Sequence, residues 1–424
     1  MNNASFIILF LFVFVSLRAQ NNNVNSLEFA FTGDIMCHST QFKFAAVGKD
    51  SFDFKPTYRE IKPYFDNCDV VVGNLETVVE VKGVKYSGYP VFNTPEDFLE
   101  GLKFAGFNIL STANNHAYDL KERGVLSTIN HIHSAGMDNV GTYKTERGRD
   151  SVCLFEKNRI KFAILSYTYG VNLYTIPNEK SFLVNRINEE LIKKDIINYR
   201  NEGADLIILF FHFGKEYAKV PDKFQKELVA KAIKFGADII IGSHPHTLQP
   251  VKFFKSQGKI DTGFTAYSLG NFISNQRWRY SDGGAVLNFS VEKNMNNGKI
   301  KLKSVKYLPI WVFKGYTDNG SEYVILPADT AINDTHFTYL QSNDLKLMRE
   351  CYYDTKEILQ KETKKISIDS IPAIRKRQKA KKISELNCFV DIPLKNTESK
   401  KTNATYIIMD SLNVKYPKLP FNIN

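Results

Sequence analysis

Five short segments of this chain end in residues able to hold a metal ion or to move a proton. The first apolar run leads into Thr32-Gly33-Asp34-Ile35-Met36-Cys37-His38, the second into Gly73-Asn74-Leu75-Glu76, and the third into Asn114-Asn115-His116-Ala117-Tyr118-Asp119. A fourth gives Phe211-His212-Phe213-Gly214-Lys215-Glu216-Tyr217 and a fifth Gly242-Ser243-His244-Pro245-His246. Carboxylates, imidazoles and amide oxygens suit divalent ions such as Mn, Zn or Fe, and the lack of a CxxC pair argues against a structural zinc knot. Asp34 and Glu76 bring the negative charge that one or two cations would neutralise, with one carboxylate able to bridge. Neutral imidazoles at His212, His244 and His246 complete the donor set. Two ions roughly 3.5–4 Å apart activate water and hold both the attacking and the leaving oxygen. His116, beside an amide ligand, is placed to give a proton to a leaving group. Each piece alone has a plainer explanation: Gly-Asp is a common turn, and His-x-His puts two rings on one face of an extended segment. The case rests on finding all five together.

Those residues need elements that bring distant segments to one place. Leu27–Thr32, Asp69–Val72, Phe107–Ser111, Phe162–Ser166, Leu206–Phe211 and Asp238–Ile241 read as buried strands. Phe98–Phe104, Gly124–Ser134, Glu189–Asn201 and Lys223–Phe235 carry helical spacing between them. That alternation predicts βα units and a largely parallel sheet, in which ligands collect beyond the carboxyl ends of the strands. After Ile241 come strands without helices, Phe264–Leu269, Gly284–Val291 and Ile300–Leu308, which predict a second, more antiparallel sheet or sheet half.

The ordered set of motifs resembles the CapA family of poly-γ-glutamate capsule biosynthesis proteins, within the calcineurin-like metallophosphoesterase superfamily. The matching residues are Gly33-Asp34-Ile35-Met36, Gly73-Asn74-Leu75-Glu76, Ala113-Asn114-Asn115-His116-Ala117 with Asp119 and Gly124, and His212-Phe213-Gly214 with Glu216-Tyr217. Gly242-Ser243-His244-Pro245-His246 with Gln249, and Tyr267-Ser268-Leu269-Gly270-Asn271-Phe272, complete the series, which covers roughly residues 27 to 290. The resemblance implies an α/β fold, a four-layer α/β/β/α sandwich of the metallophosphoesterase type, with a C-terminal α-rich appendage. It also implies metal binding at Asp34, Asn115, His212, His244 and His246, and catalysis by His116. Two positions depart from the wider superfamily. His38 follows Asp34 by four residues instead of two, and Asn74 stands where a bridging aspartate is usual, with Glu76 as its substitute. His38, Asn74, Asn114, Gln249 and Asn271 are expected to shape the substrate pocket, and Arg277 with Trp278 to line a groove beside it.

Composition bounds the rest. The chain has 424 residues, 43% hydrophobic and 24% charged, with a formal net charge of +11, proportions of a globular protein. Its five scattered cysteines argue against a disulfide scaffold. The apolar run Phe6–Val15 followed by Ala19 has the form of a signal peptide over residues 1–19, so the protein is expected to be exported, periplasmic or associated with the cell envelope. A CapA-like domain is expected over 27–310 and an extension of unknown role over 311–424. Within that extension, residues 361–382 hold nine Lys or Arg against Glu362 and Asp369, so most of the positive excess lies outside the motif set. That segment reads as a docking surface for an acidic polymer or a membrane surface. No basic–aromatic recognition motif points to nucleic acid. Two functions follow: a metal-dependent hydrolase or transferase acting on a phosphoester or amide bond of an anionic envelope polymer, or a non-catalytic component that binds or exports that polymer.

Overall fold

The computed structural model describes residues 23–333, 337–363 and 365–369, and the backbone of 387–390. The signal-peptide segment 1–19 lies outside the described residues, as do Lys364 and 370–382 of the basic segment. The first sheet begins with β1 (Val24–Ile35), β2 (Val70–Leu75), β3 (Ile109–Ser111) and β4 (Asp138–Val140), all parallel. The second is built on β5 (Cys153–Lys157), β6 (Ile160–Thr168), β7 (Leu206–His212), β8 (Ile239–Ser243), β9 (Leu248–Lys255) and β10 (Thr262–Leu269). Its order is β9-β10-β8-β7-β6-β5, parallel in the middle and antiparallel at β9 and β5.

The chain then returns to the first sheet. The short β11 (Asn271–Ile273) pairs with the end of β1, and β12 (Gly283–Asn294), β13 (Ile300–Thr317) and β14 (Gly320–Pro327) extend it as antiparallel strands, giving the order β14-β13-β12-β1-β2-β3-β4. The strands after Ile241 therefore do not form a sheet of their own. They are divided between the two sheets, β9 and β10 completing one and β11 to β14 the other. Both sets hold runs buried on both faces, such as Gly263–Leu269 and Gly283–Val291, and side-chain pattern cannot say which sheet such a strand joins.

Period-two alternation decides what faces what. Phe29 and Phe31 of β1 point between the sheets, where Phe29 meets Phe162 of β6 edge-on at 5.1 Å. Ala30 points the other way, onto a layer formed by α1 (Asp97–Ala105) and its neighbours. α2 (Lys121–Ser134) continues that outer layer, its Ile132 packing in the same cluster. On the far side Ile207 and Leu209 of β7 pack against Ile192 and Ile196 of α3 (Glu189–Asn201) and Leu228 and Ala232 of α4 (Lys223–Phe235). The result is the α/β/β/α sandwich implied by the motifs. Residue 310 falls inside β13, so the first part of the extension belongs to the sheet. Its helix α5 (Ser342–Gln360) packs Met348 against Trp311 and Leu326. No described helix is long and apolar enough to cross a membrane.

Candidate metal centre

The carboxyl ends of β1, β2, β7 and β8 and the loop after β3 meet at one rim, as parallel strands require. What lets them come so close is glycine. A Cβ on Gly33 would lie 1.9 Å from the carbonyl oxygen of Gly270, the residue where the chain passes from β10 into β11. Gly270 itself has φ +68, a conformation that favours glycine. At this crossing Asp34 N–H donates to the Gly270 carbonyl at 2.9 Å, and the β1 register shifts, leaving Asp34 opposite both Asn74 and Asn271.

Asp34, Glu76, Asn115, His212, His244 and His246 are all buried. Their donor atoms form two groups, Glu76 with His212 and His244, and Asp34 with Glu76 and His246, each with atoms within 4.8 Å of one another. Glu76 belongs to both. Its two carboxylate oxygens are buried without a hydrogen-bond partner, and burial followed by the charge of Asp34 pushes its carboxyl well above the usual value. An acid buried without donors is costly unless something positive reaches it. Asn115 Oδ1 lies 2.9 Å from His212 Nε2 and so belongs with the first group. The donor set therefore fits one or two divalent ions, which these residues would hold, with Glu76 common to both groups.

The surrounding polar groups hold these donors in orientation. Burial works to raise the Asp34 carboxyl, but the hydrogen bond and charge of His246 outweigh it and hold the group below its ordinary value. His246 Nδ1 faces Asp34 at 3.0 Å and Asn271 Oδ1 at 3.1 Å, two acceptors, so its proton sits there and Nε2 is left toward Glu76 at 3.8 Å. Burial, with the charges of neighbouring histidines, holds His212 well below its usual value, and burial with the charge of His246 brings His244 down to about 3. His212 and His244 are thereby kept in their neutral forms, as a metal-binding imidazole must be.

The His-x-His pair departs from expectation. His244 has φ +99 and His246 φ +56, so the segment is a tight turn and not extended. The turn sends one ring into each group, with ring centroids 6.1 Å apart. Left-handed backbone at two bulky residues is strained and concentrates at functional sites.

Of the residues expected to line the pocket, several serve as internal braces. Asn74 lies in β2, two residues before Glu76. It donates to Asp34 Oδ1 at 2.8 Å and its amide nitrogen lies 3.2 Å from His212 Nδ1. Asn114 donates to the Leu75 carbonyl at 2.8 Å and accepts from His116 N–H at 3.1 Å. Gln249 is fully buried, donating to the Ala218 carbonyl at 2.7 Å and accepting from Gln225 at 2.9 Å, so it braces the loop after β7 from beneath. Asn271 accepts at His246 and donates to Gln276 and to the Ser281 carbonyl. His38 enters neither donor group among the described residues. Its Nδ1 lies 3.3 Å from the Asn275 N–H, its ring meets Phe92 edge-on at 5.4 Å, and burial lowers it to about 4. The extra two residues after Asp34 open the short helix Ser39–Phe44, which takes His38 as its N-cap.

His116 stands at the edge of the donor groups. Its Nδ1 is 2.8 Å from Asp119 Oδ2, which also accepts the Phe92 N–H, so Nδ1 carries the proton and Nε2 faces the site. Asn172 Nδ2 lies 3.4 Å from that Nε2, and the Asn172 N–H donates to the Asn115 carbonyl at 2.7 Å. Asp119 was legible as the acid three residues past His116. Ser243, inside the Gly242–His246 motif, lies 3.0 Å from His212 Nδ1, whereas Asn172 and Tyr169 carried no signal: they lie beyond the end of β6, whose final residues hold no metal-type donor.

Residues 28–276 match the family model of the bacterial capsule synthesis protein PGA_cap. The chain belongs to that family. The capsule synthesis relatives include the capsule biosynthesis protein CapA of Bacillus anthracis, 29% identical over 244 residues, 56% of this chain and 58% of that protein. The PGA biosynthesis protein CapA of Bacillus subtilis (strain 168) is 27% identical over 304 residues, covering 68% and 75%. The chain thus spans somewhat under two thirds of the first of these. Among solved structures, the calcineurin-like phosphoesterase YfkN from Bacillus subtilis aligns at 14% identity and a TM-score of 0.37, over 78% of this chain and 99% of that one.

Proposed function

We propose that this capsule synthesis protein is an exported, metal-dependent hydrolase of a cell-envelope polymer. The observation that carries this is the buried pair of donor groups sharing Glu76, whose oxygens have no hydrogen-bond partner, with His116 held beside them. Divalent ions bound there, Mn, Zn or Fe, would supply an activated water and neutralise charge building on the substrate. The protein's own residues do the remainder. Asp34 and His246 are locked together at one end and Asn115 and His212 at the other, so the donors are oriented before any ion binds. Asp119 holds His116 with its second nitrogen toward the substrate, where a proton on Nε2 meets the leaving group as the bond breaks. The bond is a phosphoester, or an amide in an anionic polymer, and capsule biosynthesis in the named relatives supports the envelope setting.

A second reading, a polymer-binding or export component without catalysis, is favoured by the positive charge of residues 361–382, which suits an acidic polymer or membrane surface. One experiment separates them: metal-loaded protein is screened against phosphodiesters and γ-glutamyl polymers, beside His116→Ala. Hydrolysis is expected from the wild type and none from the variant, with metal content unchanged. Polymer binding that survives both chelation and the substitution, with no turnover in the wild type, would support the second reading and defeat the first.

A further inference from the structure

Two cations stand beside the metal centre with no anion to meet them. The loop between β11 and β12, residues 274–282, is tied to the site at its start. Asn271, which accepts from His246, donates to Gln276 Oε1 at 2.9 Å, and the Asn275 N–H meets His38 Nδ1 at 3.3 Å. His38 in turn packs on Phe92 at 5.4 Å, and Phe92 on His116 at 4.7 Å. Arg277 follows directly and is half-buried, its guanidinium carbon 5.5 Å from the centre of the Trp311 ring. Lys314 of β13, also half-buried, reaches the same loop. Its Nζ donates to Asn275 Oδ1 at 3.0 Å and lies 5.5 Å over the ring of Tyr323, its cross-strand partner in β14.

These two side chains lack the partners that crowded cations normally have. Arg277 Nη1 is buried without a hydrogen-bond partner, although a guanidinium is rich in donors and always charged. Neither Arg277 nor Lys314 makes an ion pair among the described residues. The carboxylates whose charge reaches Arg277 are committed elsewhere. Asp282 accepts the Trp311 indole N–H at 2.7 Å, and Asp344 accepts the Gln341 N–H at 3.0 Å at the start of α5. Burial brings Lys314 below its ordinary value and the charge of Arg277 adds to this, so the two cations are close enough to repel.

Other charges on this side of the molecule do not relieve the pair. Arg279 makes a two-pronged contact with Asp354 at 2.8 and 2.9 Å, and Lys219 lies over Tyr280 at 4.0 Å. Lys215 and Glu216, side by side on the exposed loop after β7, carry opposite charges and add no net charge. Cations held together out of bulk water are costly unless an anion reaches them. Arginine offers a planar fork of donors and lysine a point charge, a combination that suits an oxyanion.

We propose that Arg277 and Lys314 form an oxyanion subsite that holds one acidic group of the polymer beside the metal centre. This rests on the acidic polymer of the proposed function, but not on its turnover. The oxyanion is a carboxylate in a γ-glutamyl chain and a phosphate in a phosphodiester chain. The test is calorimetry on the full chain, stripped of metal and loaded with Mn, titrated with a γ-glutamate tetramer and with a glycerol phosphate tetramer. Arg277→Met and Lys314→Ala should each weaken binding about tenfold or more in both forms, the loss of a hydrogen bond to a charged group. Arg277→Lys should recover part of that loss, because it keeps the charge without the fork. The oligomer whose affinity falls identifies the acidic group. The basic segment 361–382 is present in every protein compared, so binding there produces no difference between them. Lys314→Ala, at a half-buried strand position, decides the matter if Arg277→Met does not fold. The proposal is overturned if neither oligomer binds wild type, or if every folded variant binds as tightly as wild type. Absence of hydrolysis leaves this test standing, and failure here leaves the metal centre untouched.

Discussion

Glu76 offers the sharpest perturbation, because its position makes sense only with something positive beside it. The side chain is 0% exposed, neither oxygen has a hydrogen-bond partner, and Asp34 stands near enough to raise its pKa further. An unsatisfied buried polar atom costs about 1–3 kcal/mol, so the two oxygens together cost roughly 2–6 kcal/mol in metal-free protein by the same measure. Glu76→Met fills a similar volume without those atoms. In chelator the variant should be the more stable, by roughly 2–12 °C in melting temperature at about 1–2 °C per kcal/mol for a chain this long. Adding Mn should then reverse the order: wild type rises as binding stabilises the folded state, and the variant barely moves. Thermal melts monitored by circular dichroism, in chelator and in Mn, check both arms. A metal-free variant less stable than wild type, or one stabilised by Mn to the same degree, would refute the reasoning.

Three further predictions follow from single contacts. Gly33→Ala places a Cβ 1.9 Å from the Gly270 carbonyl oxygen, a backbone atom that cannot move aside; it should cost at least ~3 kcal/mol in urea unfolding, and a cost below about 1 kcal/mol would show the crossing to be loose. Asp119→Asn should lower kcat about a hundredfold by freeing His116, with metal content unchanged, and should alter the pH profile; unchanged rate and profile would remove Asp119 from the mechanism. Burial pushes the Asp329 carboxyl from 3.8 up to about 6, against the pull of backbone N–H groups of Asp329 and Thr330 and with help from Asp369. A folded value above the unfolded one means this group's contribution is full below about pH 4 and lost as pH rises through about 6. Asp329→Asn should therefore gain on wild type by roughly 2–3 kcal/mol between pH 4 and 7, and a difference independent of pH would contradict the assignment.

That these side chains gather at one place was legible in the sequence because metal chemistry restricts residue type and parallel strands restrict place. Asp34, Glu76, His212, His244 and His246 could be named from strand ends alone. The role of Asn74 was not: an amide in place of an acid reads as a lost ligand, and only the fold turns it into the donor that aligns Asp34 beside His212. The turn at His244 and His246 was hidden because spacing says nothing of φ. Strand ends were harder still. Pro309 reads as a stop to a strand, yet β13 continues through it to Thr317, with Pro309 facing Ala285 of β12.

The central claim, two donor groups joined at Glu76, is tested most directly by metal stoichiometry on the purified full chain. Elemental analysis should find about two divalent ions per chain, and about one in His244→Ala, which keeps Asp34, Glu76 and His246. Wild-type protein that takes up no ion when supplied with Mn, Zn or Fe, or a His244→Ala variant that still holds two, would contradict it.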